Sequence, residues 1–175
     1  MNDVMMNMLE RRSIREYEET RVSKEDMAEV LNAGAWAPSA MNRQGWKLTG
    51  VIDPEKVRKL AAAVKKALGL SESEAYSFYD APGFIIASSA KGYANAAPDC
   101  ACAMENMMLA ARSIGLGTVW INQLKDTCND AGVRALLTSF GVPKDHDVYS
   151  SCAIGRARRE AKAPDRVPNA TAIVE

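Results

Sequence analysis

From Pro98 to Ile114, 11 of 17 residues are Ala, Cys, Met, Leu or Ile. On a helix turning about 100° per residue, Asp99, Glu105, Asn106, Arg112 and Ser113 fall inside an arc of roughly 140°. A helix so apolar elsewhere has to be covered on most sides, in the centre of a fold or at a subunit interface. Ala101, Ala103, Ala110 and Ala111 would let another backbone come close. Met104, Met107 and Met108 read as core rather than as a cofactor pocket.

The 175 residues are 47% hydrophobic, enough for one compact domain with a real core and too apolar for disorder. No apolar run approaches the roughly 20 residues of a membrane helix. Met1–Met6 has neither a basic start nor an apolar run, so a cytoplasmic protein is expected. Cys100 and Cys102 lack the two-to-four-residue spacer of a zinc site, and Cys128 and Cys152 stand alone. All four cysteines are expected to be structural, with zinc as the sharper alternative. The single histidine, His146, lies in a polar stretch and reads as a surface residue.

Caps and periods place the elements. Ser23 suits the N-cap of a helix with Met27, Val30, Leu31 and Gly34 on one face. Asp53-Pro54 opens another, carrying Val57, Leu60, Ala61, Val64 and Leu68 and ending at Gly69. Thr127 is expected to open a helix with Val133, Leu136, Leu137 and Phe140 on one side, stopped by Gly141 and Pro143. Strands are expected at 46–52, 83–89, 118–122 and 148–155. From this alternation alone, a parallel α/β sheet is expected. No strand leads into a glycine-rich phosphate loop, so a nucleotide-sized ligand would have to be held by side chains.

The candidates for that task are basic. Arg11-Arg12-Ser13-Ile14-Arg15 follows a short amphipathic segment with Met5, Met8 and Leu9. Arg156, Arg158, Arg159, Lys162 and Arg166 cluster near the other end, in a chain of zero formal net charge. Guanidinium forks match phosphate oxygens two at a time. Such runs are most often solvated faces. The alternative is that both termini converge on one small phosphorylated ligand. Balanced charge and the lack of interleaved aromatics argue against nucleic acid. The loop from Ala37 to Trp46 adds Asn42 and Gln44, amides suited to the edge of a heterocycle with alternating C=O and N–H groups, or to an ordinary helix-to-strand connection.

Together these segments resemble the FMN-dependent nitroreductase family. The Arg-Arg-Ser-x-Arg start, the Pro-Ser-x-x-Asn-x-Gln-x-Trp loop, the alanine-rich helix running into Gly-Leu-Gly-Thr-Val-Trp and the strand ending Ile154-Gly155 occur in the family's order. The resemblance replaces the parallel sheet with an α+β fold: a central mixed sheet flanked by helices, in an intertwined homodimer with FMN at the interface. It implies a single domain over 1–175 whose tail, 156–175, is exchanged with the partner, Thr171–Val174 extending the partner's sheet. Two departures are visible. Gly155-Arg156-Ala157 stands where relatives carry Gly-Tyr-Pro, and Pro164 stands where a lysine precedes the tail arginine.

By the same resemblance, Arg11, Ser13 and Arg166 hold the FMN phosphate, and Arg12 reaches the ribityl chain or the phosphate. Arg15 faces the pyrimidine edge, where a cation favours reduced flavin. Asn42 and Gln44 bond the ring or line the site, and Pro38, Ser39, Ala40 and Met41 approach it from the other subunit. A backbone N–H of Trp120, Ile121 or Asn122 lies near N5, and no side chain is catalytic. The implied function is hydride transfer from NAD(P)H to nitroaromatics, quinones or similar acceptors in ping-pong order, in an open site. Trp36, Tyr76, Phe78 and Tyr79 are possible lining residues, each more readily read as core or helix packing. The alternatives are a flavin-binding redox sensor, or a dehalogenating or flavin-fragmenting enzyme of the same fold.

Overall fold

A computed structural model describes residues 1–159, 161–168 and 170–174. Glu160, Asn169 and Glu175, in the tail, lie outside the described residues. Strands β1 (Trp46–Val51), β2 (Gly83–Ala90), β3 (Gly117–Trp120) and β4 (His146–Gly155) form one sheet in the order β1-β2-β4-β3. Every pairing between these strands is antiparallel.

The parallel sheet expected from alternation is therefore not formed. Helix α3 (Pro54–Ala67) leaves the end of β1, and residues 68–82 return along it. At 1.5 Å per residue the helix spans about 21 Å, well within the reach of that return. The chain therefore re-enters the sheet where it left, with Phe84 beside Val51. Ser13 forms an isolated parallel bridge to Thr118 on the outer side of β3, beside a four-stranded sheet that is itself antiparallel.

Strand β2 is buried on both faces. Phe84 and Ile86 point into one core, with Val57, Leu60 and Val64 of α3 and Val133 and Leu137 of α6 (Ala131–Ser139). Ile85 and Ala87 point into the other, with α2 (Lys24–Ala35) and α4 (Ala96–Ser113). The two-residue strand period divides one apolar run between two layers, as a sheet covered on both sides requires.

Ser23 Oγ accepts the Asp26 N–H and Asp53 Oδ1 accepts the Glu55 N–H, as their cap positions predict. Thr127 does not open a helix. It ends α5 (Gln123–Thr127), where its hydroxyl donates to Gln123 O. Asp130 caps α6 instead, accepting the N–H groups of Gly132 and Val133. The carboxylate immediately before the helical stretch caps it, whereas the Thr127 hydroxyl bonds back into the previous turn.

Helix α4 buries Met104, Met107 and Met108, and α2 lies close against it. A Cβ on Gly34 would sit 2.6 Å from Met107 Cγ and 2.9 Å from Leu48 Cδ1, so only glycine permits this approach. Cys100, Cys128 and Cys152 are buried, whereas Cys102 is exposed, on the uncovered side of α4. His146 opens β4 half-buried, its Nδ1 3.2 Å from Ser88 Oγ, and so is not a free surface residue. Trp36 is 82% exposed in the protomer and does not join the core.

Candidate functional site

Helix α1 (Asp3–Glu10) is tied to α4 by Asn7, whose amide donates to Leu109 O at 2.9 Å. The chain then turns along the outer edge of β3. Ile14 N–H donates to Thr118 O at 2.9 Å, and Gly117 makes room for the Ile14 side chain. Further on, Tyr17 bridges Ala157, Glu18 N–H donates to Arg156 O and Arg158 N–H donates to Glu16 O. The N-terminal run thus lies between β3 and the residues that follow β4. This threading brings the two basic ends together.

A cleft of about 420 Å³ is lined by Arg11, Arg12, Ser13, Arg15, Lys162 and Arg166, among others. A second, of about 400 Å³, shares Arg11 and Arg12 and is closed by Arg112 and the backbone around Gly117. Arg11 Nη1 is buried and has no hydrogen-bond partner, while its Nε lies 3.7 Å from Glu105 Oε1. A buried guanidinium nitrogen without an acceptor is costly, and an anion in the cleft would relieve that cost. Arg12 is used differently. Its Nη1 donates to Leu9 O at 2.7 Å and to Arg11 O at 2.6 Å, closing the end of α1. Arg15 is exposed, with its guanidinium carbon 5.9 Å from the Tyr79 ring centroid.

Beneath the cleft Cys152 and Tyr17 are buried. Burial pushes the Cys152 thiol up to about 12, with Arg11 acting weakly the other way. Burial also raises the Tyr17 hydroxyl, which donates to Ile14 O at 2.8 Å and pins the turn carrying Arg15.

Strand β3 ends at Trp120 rather than Asn122, although Ile121 N–H still donates to Ser151 O at 2.8 Å. In an antiparallel ladder alternate residues turn their N–H groups toward the partner strand. Trp120, opposite Cys152, therefore turns its N–H away from β4, toward the edge occupied by Ile14. The Ile121 N–H is consumed by the sheet and is removed from the three backbone candidates.

The segment from Pro38 to Gln44 lies apart. Among the described residues, none of the clefts that hold Arg11–Arg15 takes a lining residue from it. It contains a 3-10 turn, Ala40–Asn42, with Met41, Asn42 and Gln44 at φ of 52°, 53° and 48°. Non-glycine residues in this region cost about 1–3 kcal/mol each and persist only where the surroundings hold them. Ser39 Oγ accepts the Gln44 N–H, and Gln44 Nε2 donates to Asn42 Oδ1 at 2.8 Å. Asp99 Oδ1 accepts the Ala40 N–H at 3.0 Å. The sequence reading missed Asp99 and Tyr93 here. The available signal was a carboxylate in the first turn of an otherwise apolar helix, which had to be satisfied by something.

The profile of the nitroreductase family matches residues 8–156. The chain belongs to the nitroreductase family. A crystal structure of a nitroreductase with bound FMN from Bacteroides fragilis superposes on this chain with a TM-score of 0.94, at 38% identity over 100% of both chains. An FMN-bound nitroreductase from Desulfitobacterium hafniense shares the fold, with a TM-score of 0.89 at 23% identity over 100% of both chains. A Bacillus subtilis protein named FMN reductase [NAD(P)H] is 26% identical over 183 aligned positions, covering 96% of this chain and 71% of the relative. Among the described residues, no helix is long and apolar enough to cross a membrane.

Proposed function

We propose that this chain binds FMN as a homodimer and oxidises NAD(P)H, passing the electrons to nitroaromatic, quinone or similar acceptors. The reading is carried by one observation: the buried, unpartnered Nη1 of Arg11, in a cleft that also presents Ser13, Arg15, Lys162 and Arg166. Relatives named for FMN and NAD(P)H support it. When bound, FMN supplies a ring that accepts a hydride at N5 and gives it up again, so donor and acceptor are used in turn.

The residues divide the work. Arg11, Ser13 and Arg166 hold the phosphate, with Lys162 serving where Pro164 replaces the family's lysine. Arg15 faces the pyrimidine edge and favours the negative charge that reduction leaves near N1 and O2. The Trp120 N–H, turned out of the ladder, or the Asn122 N–H just beyond the strand is the donor for N5. Pro38, Ser39, Ala40, Met41, Asn42 and Gln44 complete the site from the partner subunit, consistent with their distance from the same protomer's cleft.

Several exposed apolar groups support the dimer. Val4, Met5, Met8 and Leu9 of α1 are left 46–62% exposed in the protomer, and Met41 is 86% exposed. The outer edge of β1 has no strand beside it among the described residues, and Ile173 and Val174 are exposed. An exchanged tail that pairs along that edge would cover both.

Sedimentation and a visible spectrum of the purified protein, followed by anaerobic NADH or NADPH, test the proposal. A yellow dimer bleached by the nicotinamide and reoxidised by menadione or a nitroaromatic is expected. A monomer that stays colourless with excess FMN would overturn it.

A further inference from the structure

We infer that Asp99 is a positioning residue: it holds the segment from Pro38 to Gly45 in the left-handed shape that turns Met41, Asn42 and Gln44 outward. The functional meaning rests on the proposed placement of that segment beside the flavin of the partner subunit. Asp99 lies in the first turn of α4 and is only 6% exposed. One carboxylate oxygen accepts the Ala40 N–H at 3.0 Å, and the other accepts the Tyr93 hydroxyl at 3.0 Å. A carboxylate inside an apolar layer is tolerated only when its oxygens are engaged in this way.

Tyr93 extends the anchor. Its ring lies under the Arg43 guanidinium, 5.1 Å from centroid to carbon. Beyond Arg43, Ser89 Oγ donates to Gly45 O at 2.9 Å and fastens the segment to β2. The segment is therefore held at Ala40, Arg43 and Gly45, and two of these holds pass through Asp99 and its tyrosine.

The residues between the anchors gain nothing from the core. Met41, Asn42 and Gln44 are exposed, and each has a backbone conformation that side-chain-bearing residues avoid. A buried ion pulling on a strained, outward-facing turn serves presentation rather than packing. Preorganisation of this kind keeps a contact surface ready before its partner arrives.

Asp99→Ala, Asp99→Asn and Tyr93→Phe in the full chain test the inference by two readouts. The first is hydrogen exchange of the Ala40 amide in flavin-free protein. The second is FMN affinity together with the visible circular dichroism of bound FMN. Loss of a charged hydrogen bond predicts that Asp99→Ala speeds Ala40 exchange and weakens FMN binding by about tenfold each, with an altered dichroic spectrum. Asp99→Asn, which can still accept from Ala40 and donate to the Tyr93 oxygen, should restore both to near wild type.

Native exchange and native FMN binding in a folded Asp99→Ala protein would overturn the inference and leave the FMN reading intact. Faster exchange in a protein whose wild type binds no FMN would support the anchor and sink that reading. If Asp99→Ala does not fold, Tyr93→Phe decides. Ala40 exchange must rise about threefold, less than for Asp99→Ala because Tyr93 acts on that amide only through the shared carboxylate, and an unchanged rate would overturn the inference.

Discussion

The Arg15 guanidinium carbon lies 5.9 Å from the centroid of the Tyr79 ring, and Tyr79 is the middle of three successive residues at positive φ. Phe78, Tyr79 and Asp80 have φ of 52°, 60° and 51°. Phe78 is locked by stacking on Phe84, with centroids 4.4 Å apart, while Tyr79 stays 43% exposed. A strained turn that buries one ring and leaves its neighbour beside a cation is a device for orienting that cation.

Removing Arg15 should lower the flavin midpoint potential. An exposed cation near the pyrimidine edge is worth roughly 1.4 kcal/mol, or about 30 mV for a two-electron couple. Tyr79→Ala should move the potential in the same direction by less, since a cation–π contact of this kind contributes about 0.5–1 kcal/mol. Spectroelectrochemical titration of the three proteins checks both. An Arg15→Ala protein with an unchanged potential would remove Arg15 from that edge.

Arg11→Ala should weaken FMN retention by roughly 10- to 100-fold, the range for a lost charged hydrogen bond. Arg12→Ala should instead lower the melting temperature with a smaller effect on FMN, because its Nη1 is spent on Leu9 O and Arg11 O. Equilibrium dialysis with FMN, paired with thermal melts, separates the two. Equal losses of FMN would show that the division of labour is wrong.

Gly117→Ala should damage stability and cofactor binding together. Its Cβ would lie 2.9 Å from Ile14 Cβ, forcing the Arg11–Arg15 run off the β3 edge. Overpacking of this kind costs about 1–3 kcal/mol. Urea denaturation measures the first effect and FMN titration the second. Full FMN affinity in this variant would show that the run tolerates the displacement.

Alkali should destabilise the fold. Burial raises the Cys100 and Cys152 thiols from 9.0 to about 12, and also raises the Tyr17 and Tyr76 hydroxyls. These groups ionise more readily in the unfolded chain, so above its ordinary pKa each holds its proton more firmly when folded. Their contribution is complete below about pH 9 and fades as pH rises toward 12. Melts from pH 7 to 11 should show a progressive fall. In the native state only Cys102 should react promptly with Ellman's reagent, and a second fast thiol would contradict the burial of the other three.

The caps at Ser23 and Asp53 and the apolar α4 could be read from local pattern, because a cap or a helical face is set by residues within a few positions of each other. The ordered motifs, from the arginine run to the Ile154-Gly155 strand, likewise carried the family. Thr127 was misread because its hydroxyl bonds back to Gln123 O, closing the preceding turn, while Asp130 caps the helix that follows. Strand direction was misread because it depends on where residues 68–82 return, which no local pattern encodes.

What the sequence alone determined was the inventory: an apolar helix, a set of cations at both ends and an amide-rich loop. Only the tertiary structure decided which of these meet. It carried Arg11 and Arg166 to one cleft, left Arg11 Nη1 without an acceptor, spent the Ile121 N–H on the sheet and joined Asp99 to a loop distant in the chain. The physical reason is range. Helix and turn preferences act over a few residues, whereas the pairing of charges and the satisfaction of buried donors are settled only once packing brings remote segments within hydrogen-bond distance.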